Sequence, residues 1–352
     1  MKKILALLLV LVMVLSLAAC AAKSEPAADA AADTAASSDT PADETAEAPA
    51  EEPTEAPAES SKTYTVGVCQ LVQHEALDAA TQGFVDALTE ALGDAVTIDV
   101  QNASGDSVNC GTIVNSFVSK GVDLIMANAT PALTAAVSAT ADIPVLGTSI
   151  TAYGVALDIE DFNGTVGGNV SGTSDLADLQ AQAQMILDWF PETKTVGLLF
   201  CSAEPNSRYQ IDEVRKALEE KGITCEEFAF TDSNDVSSVT QKAADSCDVV
   251  YIPTDNTAAA NTEAIANVLI PAGIPAICGE EGLCRGCGVA TLSISYYDLG
   301  VTTGKMAAKI LTGEADISEM PIEYTNATPK YNASVCEQLG ITPLDGYEAI
   351  EG

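Results

Sequence analysis

The sequence predicts an α/β fold of two similar lobes, each a parallel sheet flanked by helices, joined by a hinge that the chain crosses more than once. Three observations carry this. From Lys62 onward, short apolar runs alternate with longer amphipathic segments, the pattern of βαβ units around a covered sheet. The run Thr65-Val-Gly-Val-Cys69 returns as Thr195-Val-Gly-Leu-Leu-Phe200, Val122-Asp-Leu-Ile-Met-Ala127 as Cys247-Asp-Val-Val-Tyr-Ile252, and Asp142-Ile-Pro-Val-Leu-Gly147 as Gly273-Ile-Pro-Ala-Ile-Cys278, at offsets of 130, 125 and 131. The roughly 290 residues that carry the pattern exceed one ordinary core and suit two.

Residues 1–20 read as a secretory signal: Lys2 and Lys3, an apolar run, then Leu17-Ala-Ala-Cys20. This ending is similar to a bacterial lipobox, which would make Cys20 the lipidated mature N-terminus; a chance cysteine at an ordinary cleavage site is the alternative. Residues 21–61 hold no aromatic or large aliphatic residue and carry 11 acids against Lys23 alone. Such a segment buries too little apolar surface to fold and reads as an extended acidic tether. The expected place of work is therefore the outer face of the cell membrane. Beyond the tether, 40 acidic residues face 12 basic ones, a net charge of −28, which argues against nucleic acid or anionic lipid as a partner of the folded part.

The elements follow in order. Strands are expected at 65–69, 96–100, 122–127 and 144–147, with helices over 76–92, 108–120 and 131–141 between them. The glycine-rich stretch 154–172 reads as the first crossing between lobes. The repeat then supplies strands at 195–200, 247–252 and 273–278, followed by a strand at 290–295 and a helix over 296–311 closed by Gly313. On this reading lobe 1 spans 62–153 plus about 296–321, and lobe 2 spans 154–295 plus about 322–352.

In open parallel sheets, ligands sit outside the carboxyl ends of the strands. Two turns at such ends stand out, Asn128-Ala-Thr-Pro131 and Pro253-Thr-Asp-Asn-Thr257, and the repeat would set them face to face. Asp255 could accept hydrogen bonds from a ligand ammonium while N–H groups at the following helix start hold a carboxylate; equally, Asp255 or Asn256 could only cap that helix. Thr130 is expected to cap its helix and face the cleft. Further strand ends offer 70–77, Glu204-Pro-Asn-Ser207 and Gly279-Glu-Glu281, with Ser207 also readable as a helix cap. His74, the one histidine, sits on the first of these loops and is readable as a ligand contact or a solvent-exposed residue.

Nine cysteines lie beyond Cys20, several inside apolar runs, where cysteine behaves as a small hydrophobe. Cys284 and Cys287 are close enough to consider a disulfide, and no metal site is expected. No nucleophile elbow, phosphate loop or zinc-protease motif is present, so neither enzymatic activity nor a cofactor is expected.

Taken together, Gln70-Leu-Val-Gln-His-Glu-Ala-Leu-Asp78, Gln101-Asn-Ala-Ser-Gly-Asp106, Ala129-Thr-Pro131, Gly168-Asn-Val-Ser-Gly172 with Ser174-Asp-Leu176, Glu204-Pro-Asn-Ser207, Pro253-Thr-Asp-Asn-Thr257 and Tyr296-Tyr-Asp-Leu-Gly300 resemble the tryptophan/tyrosine-binding (TrpX-like) group of ABC-transporter substrate-binding lipoproteins. The resemblance covers nearly all of residues 63–342. It implies a periplasmic-binding fold of type I, LacI-like, closing on a small solute, an aromatic or hydrophobic amino acid, and delivering it to an ABC permease. The implied ligand contacts are His74, Leu77, Thr130, Ser174, Asp175, Glu204, Asn206, Ser207, Asp255 and Asn256, with Asp255 taking the ammonium and Thr130 with nearby N–H groups the carboxylate. The sequence departs from the family pattern at Glu75, where proline is usual, and at Leu71, where an aromatic residue is frequent. A monomer is expected. The competing readings are a ligand sensor that presents its closed form to a membrane receptor, an importer component for a nucleoside or sugar, and a secreted enzyme on the same fold.

Overall fold

The computed structural model describes residues 62–350; the expected signal, Cys20 and tether lie outside the described residues. In lobe 1, β1 (Tyr64–Gln70), β2 (Val96–Asn102), β3 (Leu124–Asn128), β4 (Val145–Ile150) and β5 (Val170–Ser174) are interleaved with α1 (Glu75–Leu92), α2 (Ser107–Lys120), α3 (Thr130–Ala139) and the short α4 (Tyr153–Ala156). In lobe 2, α5 (Leu179–Trp189) leads into β6 (Thr195–Cys201), α6 (Pro205–Glu219), β7 (Thr224–Phe230), α7 (Val236–Ser246) and β8 (Val249–Ile252). There follow α8 (Asn256–Ala259), α9 (Thr262–Ala272), β9 (Ala276–Cys278), α10 (Glu281–Cys287) and β10 (Ala290–Ser293). The chain returns to lobe 1 for α11 (Tyr296–Thr312) and β11 (Glu323–Tyr324), then ends in lobe 2 with β12 (Thr328–Tyr331), α12 (Ala333–Leu339) and β13 (Glu348–Ala349).

The sheets run β11-β5-β4-β3-β1-β2 and β13-β12-β10-β9-β8-β6-β7. Every pairing is parallel except β10 with β12. The two sheets thus share the order 2-1-3-4-5, and each reverses direction beside its first strand, where a crevice opens. The internal repeat has a physical basis. Asp123 accepts from the N–H of Thr65 at 2.7 Å, and Asp248 accepts from the N–H groups of Lys194 and Thr195 at 2.9 Å each, so the repeated aspartate pins the start of the first strand in both lobes. Both faces of each sheet are covered by buried clusters, Phe117 and Leu133 against Phe84 and Leu124 in lobe 1, Phe200 and Trp189 against Ile252 and Leu269 in lobe 2. All nine cysteines are free, and Cys284 and Cys287 lie buried on α10.

The first crossing is not where the glycines suggested. Residues 154–172 stay with lobe 1, because β5 pairs in parallel with β4. Gly172, at φ 141°, lies against the backbone of Gly147 and the hydroxyl of Tyr153, where no side chain fits. Glycine here serves close strand packing rather than a linker. The chain crosses first after Ser174, again between β10 and α11, and a third time between β11 and β12. Lobe 1 therefore takes in residues up to 174 and runs on to Tyr324.

Helix α11 lies along α1 so closely that a Cβ on Gly300 would overlap the Ala80 carbonyl, and one on Gly304 would meet that of Phe84. Gly300→Ala is expected to cost about 1–3 kcal/mol through this overlap. Thermal unfolding checks it, with the midpoint falling about 2–4 °C per kcal/mol.

Candidate ligand-binding cleft

The carboxyl ends of the two sheets face each other, and the lobes are in contact. Thr151 Oγ1 lies 3.4 Å from Thr254 Oγ1, His74 Nε2 lies 3.2 Å from Asn256 Oδ1, and Arg285 reaches Glu75 at 3.1 Å. Between them is a deep cavity of about 10 Å³. Lobe 1 and the crossings line it with His74, Leu77, Ser149, Thr151, Asp175 and Tyr296. Lobe 2 contributes Asn206, Thr254, Asp255, Asn256, Ala259 and Glu280. A space of about 350 Å³ adjoins it at Asn256, walled by Leu71, Val72 and Pro131 on one side and Ala203 and Ala260 on the other.

Two buried carboxylates decide what the Pro253–Thr257 turn can do. Glu204 Oε2 accepts from the N–H and Nδ2 of Asn256 at 3.0 and 2.6 Å, and Oε1 from the N–H and Oγ1 of Thr257 at 2.9 and 2.8 Å. Asp255 Oδ1 accepts from the N–H of Ala258 at 2.8 Å; Oδ2 accepts from the N–H of Cys201 at 2.6 Å and from Ser207 Oγ at 2.7 Å. The N–H groups at the start of α8 are therefore taken, and Asp255 serves as a cap that ties three segments of lobe 2 together. Burial, with the charge of Glu204 adding to it, pushes the Asp255 carboxyl up from the usual range. Expecting Asp255 to receive an ammonium and the helix start to receive a carboxylate overlooked these internal partners.

Other expected contacts are also framework. Ser207 holds Asp255, and Ser174 Oγ donates to the Thr151 carbonyl at 3.0 Å while accepting from the N–H of Leu176 at 3.2 Å, which shapes the first crossing. Thr130 is the first residue of α3 and does not cap it; the capping position is Ala129, at φ 88°, and Thr130 is not among the residues lining the deep cavity.

What remains for a ligand is a set of three polar atoms, all on the cavity lining and all buried without a hydrogen-bond partner in the chain: Asp175 Oδ1, Asn206 Oδ1 and Ser149 Oγ. Asp175 Oδ2 accepts from Tyr296 Oη at 2.8 Å, which joins the first and second crossings and leaves Oδ1 to the cavity. Burial raises the Asp175 carboxyl, so a cation beside it would favour its charged form. Asn206 Nδ2 donates to the Thr254 carbonyl at 3.0 Å, which fixes the amide with Oδ1 outward. Ser149 holds φ 56°, a strained backbone for a residue with a Cβ. Glu280, whose carboxyl burial pushes up to about 7, caps α10 from the cavity wall, donated to by the Gly282 and Leu283 N–H groups.

His74 is half-buried against Asn256 rather than free on a loop. Because Asn256 Nδ2 donates to Glu204, its Oδ1 must accept, which makes His74 Nε2 the donor. Burial lowers the His74 pKa, outweighing the bond to Asn256 and the charges of Glu204 and Asp78.

Thr254, Glu280 and Tyr296 lie in stretches the sequence singles out without a ligand role of their own, and Ser149 and Thr151 lie in none. Thr148-Ser-Ile-Thr151 ends β4 as the selected turns end β3 and β8, and that position was its available signal.

A sheet-end cavity between two lobes joined by three crossings, lined by polar atoms without internal partners, is the arrangement of a solute-binding protein. The chain belongs to the ABC transporter substrate binding protein family, whose model matches residues 65–346. It is 32% identical over 275 residues to the tyrosine-binding protein of Clostridioides difficile (strain R20291), covering 76% of this chain and 78% of the relative. Among solved structures, the ABC domain in complex with L-Trp from Streptococcus pneumonia superposes with a TM-score of 0.78 at 31% identity, covering 82% of this chain and all of that one. The ligand-free, open structure of a substrate binding protein with adhesive properties from Clostridium difficile, 32% identical, gives 0.63 over 82% of this chain and 99% of that one. At nearly equal identity the fit is better to the tryptophan complex than to the open form, as lobes in contact require. The family is one of binding proteins, not enzymes, and its fold is the type I periplasmic-binding fold the sequence led us to expect; an extracytoplasmic role at an ABC importer follows from membership.

If Asp255 is a structural tie, Asp255→Ala should lower the ligand-free thermal midpoint, since burying its former donors unpaired costs at least about 1–3 kcal/mol. An unchanged midpoint in a folded variant would return Asp255 to a purely ligand-facing role.

Proposed function

We propose that this protein captures a free amino acid with an aromatic side chain, tyrosine or tryptophan, and delivers it to an ABC permease from a lipid anchor at Cys20. The observation that carries the ligand class is the convergence of Asp175 Oδ1, Asn206 Oδ1 and Ser149 Oγ, three unpartnered acceptors including one carboxylate oxygen, on one buried cavity. An ammonium has three N–H donors and a positive charge, and matches that set in number and sign. The relatives that bind tyrosine and L-Trp support the same class.

Hydroxyl groups remain for the carboxylate. Thr254 Oγ1 accepts from Gln210 Nε2 at 2.7 Å, so its own proton is available to donate, and Thr151 Oγ1 lies beside it. The 350 Å³ space adjoining the cavity, with Leu71, Val72 and Pro131 on its wall, provides for the side chain. The deep cavity is about the size of one water, so the lobes must part before an amino acid enters. Ligand contacts from both sides then favour the closed form over the open one, and the permease reads closure. The acidic tether, 21–61, would keep a monomeric binding protein clear of the membrane surface while Cys20 retains it there.

Titration calorimetry with L-tyrosine and L-tryptophan tests the proposal; if neither binds while a nucleoside or sugar does, the ligand class is wrong. Asp175→Asn is expected to weaken binding at least about 30-fold, since losing a buried charge partner costs about 2–5 kcal/mol. Affinity should also fall as pH drops below about 6.5, because closing must strip a proton from His74; the stabilisation is present above the open-state pKa and lost in acid. His74→Gln should flatten that part of the profile relative to wild type.

A further inference from the structure

The start of α1 reaches across the cleft twice within two residues. His74, at the capping position, meets Asn256 inside, and Glu75, the first helical residue, meets Arg285 at the rim. Arg285 NH2 lies 3.1 Å from Glu75 Oε1 and 2.8 Å from Glu281 Oε1, while Lys330 Nζ holds the other oxygen of Glu281 at 2.5 Å. Two cations and two carboxylates thus form one chain from β12 through α10 to the first turn of α1. Among the described residues, the other ion pairs stay within one lobe.

Closure brings acidic linings together: Asp175 on one side, Glu204, Asp255 and Glu280 on the other. An ion pair spanning the rim offsets that repulsion. The α1 macrodipole favours negative charge at Glu75 whether the lobes are open or closed. Glu281, itself held by Lys330, orients Arg285 toward it.

We propose that Glu75 and Arg285 form an electrostatic latch that sets the open–closed balance of the ligand-free protein and makes closure sensitive to ionic strength. This rests on the closing motion proposed above, but not on the ligand's identity. Glu75 is 52% and Arg285 35% exposed on their side chains, so the latch is a modest one, about two- to five-fold in the ratio of closed to open forms. A bias of that size leaves the ligand in control of closure while tuning how long the closed form persists.

The test uses the chain without ligand, carrying spin labels on unnatural ketone side chains at the exposed positions Thr112 of α2 and Ser238 of α7, so that the native thiols are left alone. Pulsed electron resonance reads the interlobe distance distribution. At low salt, Glu75→Gln and Arg285→Gln should each lower the closed-to-open ratio two- to five-fold. About 1 M salt, where the Debye length is about 3 Å, should do the same to wild type and add little in Glu75→Gln. Asp99→Asn, which removes one charge from the Lys120 pair inside lobe 1, should leave the ratio unchanged. A Glu75→Gln distribution that superposes on wild type, or one that moves no more than Asp99→Asn, overturns the latch. Failure of L-tyrosine or L-tryptophan to close either protein would count against the proposed ligand alone.

Discussion

Glu204 and Asp255 are buried carboxylates whose oxygens are occupied by donors of lobe 2, and the site's chemistry depends on that occupation. A carboxylate in a low-dielectric interior costs several kcal/mol unless hydrogen bonds satisfy it. Here the donors are the otherwise unpaired N–H groups of Asn256, Thr257 and Ala258, together with the Cys201 N–H and the Ser207 hydroxyl. The arrangement makes the end of β6, the start of α6 and the turn after β8 one rigid unit. It also removes the Asp255 carboxylate and the N–H groups that follow it from competition for the ligand, and leaves the amine to atoms on the first crossing, on β4 and on α6.

Function then follows from position in the hinge. Asp175 sits where the chain first leaves lobe 1, bonded to Tyr296 where it returns. A group bound to Asp175 therefore touches the part of the molecule that both lobes share, and Asn206 from lobe 2 and Ser149 from lobe 1 complete its surroundings. On the proposed reading, the share of binding energy that Asn206 adds would be gained only when the lobes approach, which is the differential affinity that a ligand needs to shift a conformational equilibrium. Rim contacts such as Glu75–Arg285 add a smaller bias that salt can screen.

The fold was largely legible in the sequence because its signals are local and repeated. Alternating apolar and amphipathic runs gave the parallel units, and the matched Asp123 and Asp248 reflect a hydrogen bond that each lobe needs at its first strand. The crossing was misplaced because glycine has two uses. At Gly172 it permits close strand contact beneath Tyr153, and nothing in the local sequence separates that from a linker. The site was half legible: strand ends located the cleft, and His74, Leu77, Asp175, Asn206, Asp255 and Asn256 do line its deep cavity. The roles were not, since whether an aspartate serves the chain or the ligand depends on partners 48 and 54 residues away, as with Ser207 and Cys201 for Asp255. The unpartnered oxygen of Asp175 becomes visible only when such bonds are counted in three dimensions.

The central claim is that the cleft recognises an amine through Asp175 and its two neighbouring acceptors. Calorimetric titration comparing L-tyrosine with its deaminated analogue, 3-(4-hydroxyphenyl)propanoate, isolates that group, since ring and carboxylate are shared. The account predicts saturable binding of the amino acid and no measurable binding of the analogue at the same concentrations. Equal affinity for the two would contradict it.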